Sequence, residues 1–325
     1  MKKNVLGNTG IEVSELSFGT LILGKNQANL TIEEGGQTVK EAFELGINFF
    51  DTAQTYGTEG HLREGLSGVG DRAIISTKTR ARKRDVAQRD FEASLKELHR
   101  EYIDIYHLHL VHGAQDLADR RGVLDFLLEL KEQGLIKAIG ASVHKVEAAR
   151  VAVAESDIDV LFPVLNSLGL GIMDGSIDDM VEVCKRAEAR GMGIYAMKPL
   201  GGGHLRKYPE EPFGFLRNLG FVDSICVGMK SPAEVEMNVS IFEGWEVSKE
   251  TLAQIETVSR TLKIYGHCLG CGACVEACAQ EALSLDRSRT DESKGKKGQS
   301  VVNQDKCILC GYCAEACPQF VIRVI

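Results

Sequence analysis

Seven short apolar runs punctuate the first three quarters of the chain: "FFD" (49–51), "AIISTK" (73–78), "YIDIYHLH" (102–109), "IKAIGAS" (136–142), "VLFPVL" (160–165), "MGIYAMK" (192–198) and "SICVG" (224–228). Between them lie longer amphipathic stretches, among them 31–45, 84–99, 119–133, 144–155 and 174–190, with apolar residues at three- and four-residue steps. That spacing belongs to helices that bury one face, and the short runs to strands. With "VSELSFG" (13–19) as the first strand, the chain reads as eight strand–helix units. Such a repeat predicts an α/β fold, a parallel (β/α)₈ TIM barrel, with its active site at the C-terminal ends of the strands. The competing fold, an open doubly wound sheet, would carry a G-x-G-x-x-G turn after its first strand, and none stands there.

The 325 residues, 44% of them hydrophobic, supply a large core and more than one domain. No stretch approaches the roughly 18 apolar residues of a membrane span, and the N-terminus lacks an uninterrupted apolar segment with a small-residue cleavage site. A cytoplasmic protein is expected, with no membrane partner. A net charge of −8 argues against nucleic acid as a partner.

Eight of the ten cysteines follow residue 267, in "CLGCGACVEACAQ" (268–280) and "CILCGYCAEACPQ" (307–319). Each run reads C-x₂-C-x₂-C-x₃-C, and without a secretion signal metal is a better reading than disulfides. Zinc ribbons use paired C-x₂-C instead. The duplicated run resembles the bacterial ferredoxin pattern, in which the fourth cysteine of each run serves the other cluster. The resemblance implies two [4Fe–4S] clusters, one on Cys268, Cys271, Cys274 and Cys317, the other on Cys307, Cys310, Cys313 and Cys278. Ala279 replaces the proline expected after Cys278, and "DRSRTDESKGKKGQS" (286–300) lengthens the connection as a polar loop. The expected domains are a barrel (1–248), a helical linker (249–262) and a small α+β ferredoxin-like iron–sulfur domain (263–325). Cys184 and Cys226 read as core residues, and Trp245 as packing near the domain junction.

Polar residues gather at three neighbouring strand ends. Asp51 closes one strand, with Tyr56 following in "DTAQTYG"; Lys78 closes the next, and His109 the third. An ammonium near a phenol lowers its pKa, so Lys78, positioned by Asp51, would prepare Tyr56 as a general acid towards a carbonyl, while His109 orients the same oxygen. His107, two residues before His109, reads as an inward barrel side chain.

These residues resemble the aldo-keto reductase family, whose order is followed by "LGNTGIEVSELSFGT", "GINFFDTAQTYG", "STK", "YIDIYHLH", "GLIKAIGAS", "GIYAMKPLGGG" and "VGMKSPAEVEMN". The resemblance implies Tyr56 as catalytic acid/base with Lys78, Asp51 and His109, hydride from NADPH or NADH without a Rossmann domain, and a small carbonyl or alcohol substrate. It also implies cofactor contacts from Ser142, Met197, Lys198, Gly201, Gly202, Gly228, Lys230, Ser231 and Asn238. The pocket departs from the family: Val143 replaces its Asn, Phe162 its Gln and Met197 its stacking Tyr, while Glu234 would repel a 2′-phosphate unless Lys230 compensates. A nicotinamide moves two electrons and a cluster one, a difference that a flavin usually mediates, but no motif secures a flavin. Three readings follow: a carbonyl or alcohol oxidoreductase whose clusters exchange electrons with a ferredoxin or flavodoxin-like carrier or adjust activity, a ferredoxin-linked oxidoreductase, or a redox-sensing barrel without catalysis. The cluster domain is expected to fold over the barrel's C-terminal face; docking on the outer helices is the alternative.

Overall fold

The computed structural model describes residues 1–325. A two-stranded hairpin, β1 (Lys3–Val5) and β2 (Glu12–Ser14), precedes eight parallel strands: β3 (Leu16–Gly19), β4 (Phe49–Asp51), β5 (Ile74–Thr79), β6 (Ile103–Val111), β7 (Ile136–Val143), β8 (Val160–Pro163), β9 (Gly193–Met197) and β10 (Ser224–Val227). They close into a barrel when β10 pairs with β3. The outward strand residues and the apolar helix faces share one large core. Inside the barrel, Phe49, Ile74, Ile105, Ala138 and Val160 pack with Leu6, Ile11 and Val13 of the hairpin region, which plug its N-terminal end. Polar side chains are thereby left to the other end, the usual site of chemistry in this fold.

After the helix Pro232–Glu243, Trp245 stands 60% exposed, so it does not pack at a domain junction. The next helix, Lys249–Thr257, is shorter than the sequence suggested, because β11 (Leu262–Ile264) already pairs with β14 (Ile322–Val324) at the C-terminus. Thr261 and Ile325 exchange backbone hydrogen bonds beyond that pair, which ties the linker to the chain's last residue. The polar stretch 286–300 is a hairpin, not a loop: β12 (Leu283–Asp291) pairs with β13 (Lys296–Val302). The backbone repeats between the two cysteine runs. Gly270 and Leu309, Gly272 and Gly311, and Glu281 and Phe320 take matching positive φ angles, and each run carries a four-residue helix, Ala273–Glu276 and Tyr312–Glu315.

The cluster unit lies on loops that leave the C-terminal ends of β8 and β9. The Phe320 ring packs with Leu170 and Leu205, and lies so close to Gly171 that a Cβ there would be 2.8 Å from it. A Cβ on Gly203 would stand 2.5 Å from the Val324 carbonyl oxygen. His204 Nε2 donates to the Ile322 carbonyl at 3.2 Å, while its Nδ1 is buried and unpaired. Burial lowers the His204 pKa from 6.5 to about 4. A depressed folded pKa gives stability that is complete above pH 6.5 and lost as pH falls towards 4, up to about 2 kcal/mol by pH 5. On going from pH 7 to pH 5, thermal unfolding should show wild type losing more stability than His204→Gln; equal losses would contradict this.

Candidate active site

The floor of the barrel mouth is a buried ion pair. Lys78 Nζ, on β5, donates to Asp51 Oδ1 at the end of β4 (2.5 Å) and to the Thr52 carbonyl (2.6 Å). Tyr195, on β9, reaches across the interior and donates to the same Asp51 oxygen at 2.8 Å. Its hydroxyl proton is then spent, so Ser76 Oγ and His107 Nε2, both 2.9 Å away, donate to it. This assigns the His107 proton to Nε2 and leaves Nδ1 bare and unpaired against Gly140, where a Cβ would come within 2.2 Å of the ring. His107 is an inward barrel side chain, as its alternation with Leu108 suggests. Tyr195 was missed by sequence reasoning, although its two-residue step to Met197 marks the inward face of β9.

Above this floor, the Tyr56 and His109 rings meet edge to face, with centroids 5.6 Å apart. Tyr56 follows β4 on a short turn that ends at Gly57, whose φ of +66° favours glycine. Lys78 Nζ lies 5.7 Å from the Tyr56 ring centre. The expected lowering of the phenol pKa by Lys78 is not what the structure gives. Burial, and then Asp51, push it well above the ordinary value, opposed by Arg80, because Lys78 is already paired with Asp51. The phenol therefore keeps its proton. His109 is held neutral, pushed far down by burial and then by Lys78, Arg80 and Arg120, and its Nδ1 is unpaired. Arg120 donates to the backbone carbonyls of Ala81, Thr79 and His109, tying the end of β5, which carries Lys78, to His109 on β6.

The residues expected to hold a dinucleotide divide into two groups. At the adenosine end Asn238 is buried with an unpaired Oδ1, Ser231 caps the helix Pro232–Glu243, and Lys230 stands beside it. Glu234 does not confront a ligand as a bare anion, because Arg260 from the linker pairs with it at 2.8 Å. Lys230, which sequence reasoning gave that task, turns its Nζ to the Ser259 carbonyl. This end fits an adenosine phosphate. At the carboxamide end the Ser142 hydroxyl accepts from Leu110 N–H, and Phe162 stacks on Tyr195 at 3.8 Å. Val143 and Met197 offer no strong hydrogen-bonding group in place of the family's amide and phenol. Between the ends, Arg323 and Phe320 lie against Gly202, Lys198 lies beneath Phe320, and Gly228 faces Ile22.

The cysteines fall into two groups, each around its own cavity. Cys268, Cys271, Cys274 and Cys317 line one; Cys278, Cys307, Cys310 and Cys313 line the other. The fourth cysteine of each run sits with the three of the other. No group of three converges as one metal ion would need, so the thiols surround a space rather than a point. Burial raises the Cys274 thiol and pushes Cys313 up to about 12, and neighbouring cysteines reinforce both shifts; bound iron would offset that cost. Ser300 N–H and Ala282 N–H point at the Cys268 and Cys278 sulfurs, at 3.5 and 3.3 Å. This donor set fits two iron–sulfur clusters.

The profile of the aldo/keto reductase family matches residues 15–219. The chain belongs to the aldo/keto reductase family. A 4Fe-4S dicluster domain follows at 267–321, so this family member carries a ferredoxin-like domain at its C-terminus. L-galactose dehydrogenase of Arabidopsis thaliana is 26% identical over 306 residues, covering 79% of this chain and 94% of its own. A probable aldo-keto reductase of Glycine max is 32% identical over 216 residues, 61% of this chain and 59% of its own. A putative aldo-keto reductase structure from Pseudomonas aeruginosa superposes with a TM-score of 0.64 at 27% identity, covering 74% of this chain and 94% of its own. No helix of this reductase-family chain is long and apolar enough to cross a membrane.

Proposed function

We propose that this protein reduces a small carbonyl compound to an alcohol, with Tyr56 as proton donor and His109 as the group that orients the carbonyl oxygen. The observation that carries the reading is the Tyr56–His109 edge contact over the buried Lys78–Asp51 pair. A phenol that keeps its proton is ready to donate it to the alkoxide that forms as the carbonyl is reduced. Asp51, held by Lys78 and Tyr195, cannot swing towards the phenol and take that proton. Neutral His109 can offer one N–H to the same oxygen without adding a charge.

When bound, NADPH or NADH would supply hydride to the carbonyl carbon. Lys230, Ser231, Asn238 and Arg260 would hold its adenosine end, and Lys198, Gly201, Gly202 and Gly228 its pyrophosphate, with Ser142 and Met197 beside the nicotinamide. The two clusters, on the cysteine groups described above, would each pass one electron at a time. Ile308 and Tyr312, 65% and 62% exposed, flank the exposed Cys310, which gives a one-electron carrier such as a ferredoxin or flavodoxin a face to approach.

A second reading, in which reducing equivalents reach the pocket from the clusters or a flavin, is favoured by the missing amide contacts at Val143 and Phe162. Anaerobic assays of the holoenzyme against small aldehydes and ketones separate the two. The first reading expects one NADPH or NADH consumed per carbonyl reduced. Turnover only with a reduced viologen would favour the second, and no turnover with any reductant would contradict both.

A further inference from the structure

The cluster unit presents two exposed cysteines to a carrier, Cys271 and Cys310, and their surroundings differ in charge. Along the run that holds Cys310, two exposed acids, Asp305 and Glu315, stand against one cation, Lys306. The segment 264–275, which holds Cys271, contains no acid. Its neighbour is the β12–β13 hairpin, where five lysines and arginines between 286 and 300 stand against three acids, in a chain whose net charge is −8.

Backbone contacts fix the hairpin against that segment. Lys297 N–H donates to the Leu269 carbonyl at 2.8 Å. Gly270, at φ +69°, packs so closely on Gly298 that a Cβ there would lie 2.6 Å from its nitrogen. Ser300 N–H points at the Cys268 sulfur, and Lys296 Nζ donates to the Gly266 carbonyl at 3.1 Å. β13 therefore runs beside the loop from Cys268 to Cys271 and carries its lysines to the edge of the first cysteine cavity. Two of the hairpin's acids are neutralised within it, Asp286 by Arg289 at 2.9 Å and Asp291 by Lys294 at 3.0 Å. Arg287, Lys296 and Lys297 have no carboxylate partner, and only Glu292, in the turn, is left as an unpaired acid. Arg287 and Lys297 are exposed, and Leu269, 36% exposed, adds an apolar contact next to Cys271. Cys268 and Cys274 are buried and Cys317 half-buried, so Cys271 is where this cavity reaches the surface. A cationic edge at that point raises the rate of encounter with an acidic protein and orients it over the cysteine.

We propose that the hairpin face of Arg287, Lys296 and Lys297, beside Cys271, docks an acidic one-electron carrier protein that exchanges electrons with the cluster on Cys268, Cys271, Cys274 and Cys317. In the reducing direction one electron leaves the carrier and one enters the cluster; no bond forms and no proton moves. The inference rests on the reading of two clusters that exchange electrons with a carrier, and not on carbonyl reduction.

The test uses the anaerobic holoenzyme and an acidic bacterial flavodoxin. Calorimetry with the oxidised flavodoxin at low ionic strength reads docking, and stopped-flow absorbance with the reduced flavodoxin reads electron transfer. Wild type should bind one flavodoxin per chain and lose affinity as salt rises. Reversing two charges, Arg287→Glu with Lys297→Glu, should weaken binding and slow second-order transfer by about tenfold or more. Methyl viologen radical, a small cation, should reduce the same variant as fast as wild type or faster, which shows the clusters intact. Should iron analysis find that the double variant has lost its clusters, Lys297→Glu alone and the salt dependence of wild type carry the test. Equal binding and transfer in wild type and variant, or no dependence on salt, would overturn the proposal. So would a loss seen only in Ile308→Ser, which would give the carrier to the Cys310 side. A salt-sensitive dimer that the charge reversal dissolves would also overturn it, because the face would then belong to a second copy. Absence of iron from wild type would remove the cluster reading and the proposal with it, whereas docking without any carbonyl turnover would remove only the reductase reading.

Discussion

Tyr56→Phe will lower kcat for carbonyl reduction by about 10²- to 10⁴-fold and leave the affinity for NADPH within about twofold of wild type. The substitution removes one hydroxyl from a ring whose packing against His109 is unchanged. Only the transition state, in which the carbonyl oxygen gains negative charge, loses its proton donor. The wild-type phenol is held protonated by burial and by Asp51, so the loss should persist across neutral pH rather than be recovered by acid. Steady-state kinetics together with nucleotide binding check this. Undiminished turnover would show that the proton comes from elsewhere.

The barrel was legible because its signals are local. Strand runs such as 49–51 and 136–142 fall within a residue of β4 and β7, and alternation placed His107 inside. The grouping of Asp51, Tyr56, Lys78 and His109 followed from strand ends that the fold aims at one mouth. What the sequence could not show was how charges are shared once they are buried. Lys78 looked free to act on Tyr56, but Asp51 and the Thr52 carbonyl take its ammonium, and the phenol moves the other way. Arg260 pairs with Glu234 across 26 residues and Tyr195 with Asp51 across 144, separations at which no periodicity speaks. The polar stretch 286–300 read as loop because its charges hide the ladder of backbone bonds that makes a hairpin.

Cys317→Ser will remove iron from the cavity lined by the first cysteine run, although Cys317 belongs to the second. The holoenzyme should carry about eight irons and the variant about four or fewer. The domain should also lose stability, because its own core is small, built around Leu262, Leu283, Val321, Ile322 and Val324, and four of its strands are short or polar. β14 ends four residues after Phe320, so loss of that cluster should also loosen the contact with Gly203 and His204. Iron analysis, cluster spectroscopy and thermal unfolding report the three effects. Full iron loading in the variant, or loss confined to the cluster on Cys307, Cys310 and Cys313, would contradict the crossed assignment.

The central claim is that barrel and cluster domain build one active-site mouth, and Phe320 is where they touch it. The ring packs against Leu170 and Gly171 after β8, lies over Lys198 after β9, and carries Arg323 on its face. Phe320→Ala opens that wall and touches neither the cysteines nor Tyr56. The decisive measurement is kcat/KM for carbonyl reduction by this variant, on protein shown to hold its full iron. A fall of about tenfold or more, mostly through KM, is the predicted result; wild-type kinetics would mean that the cluster domain is only a neighbour of the site.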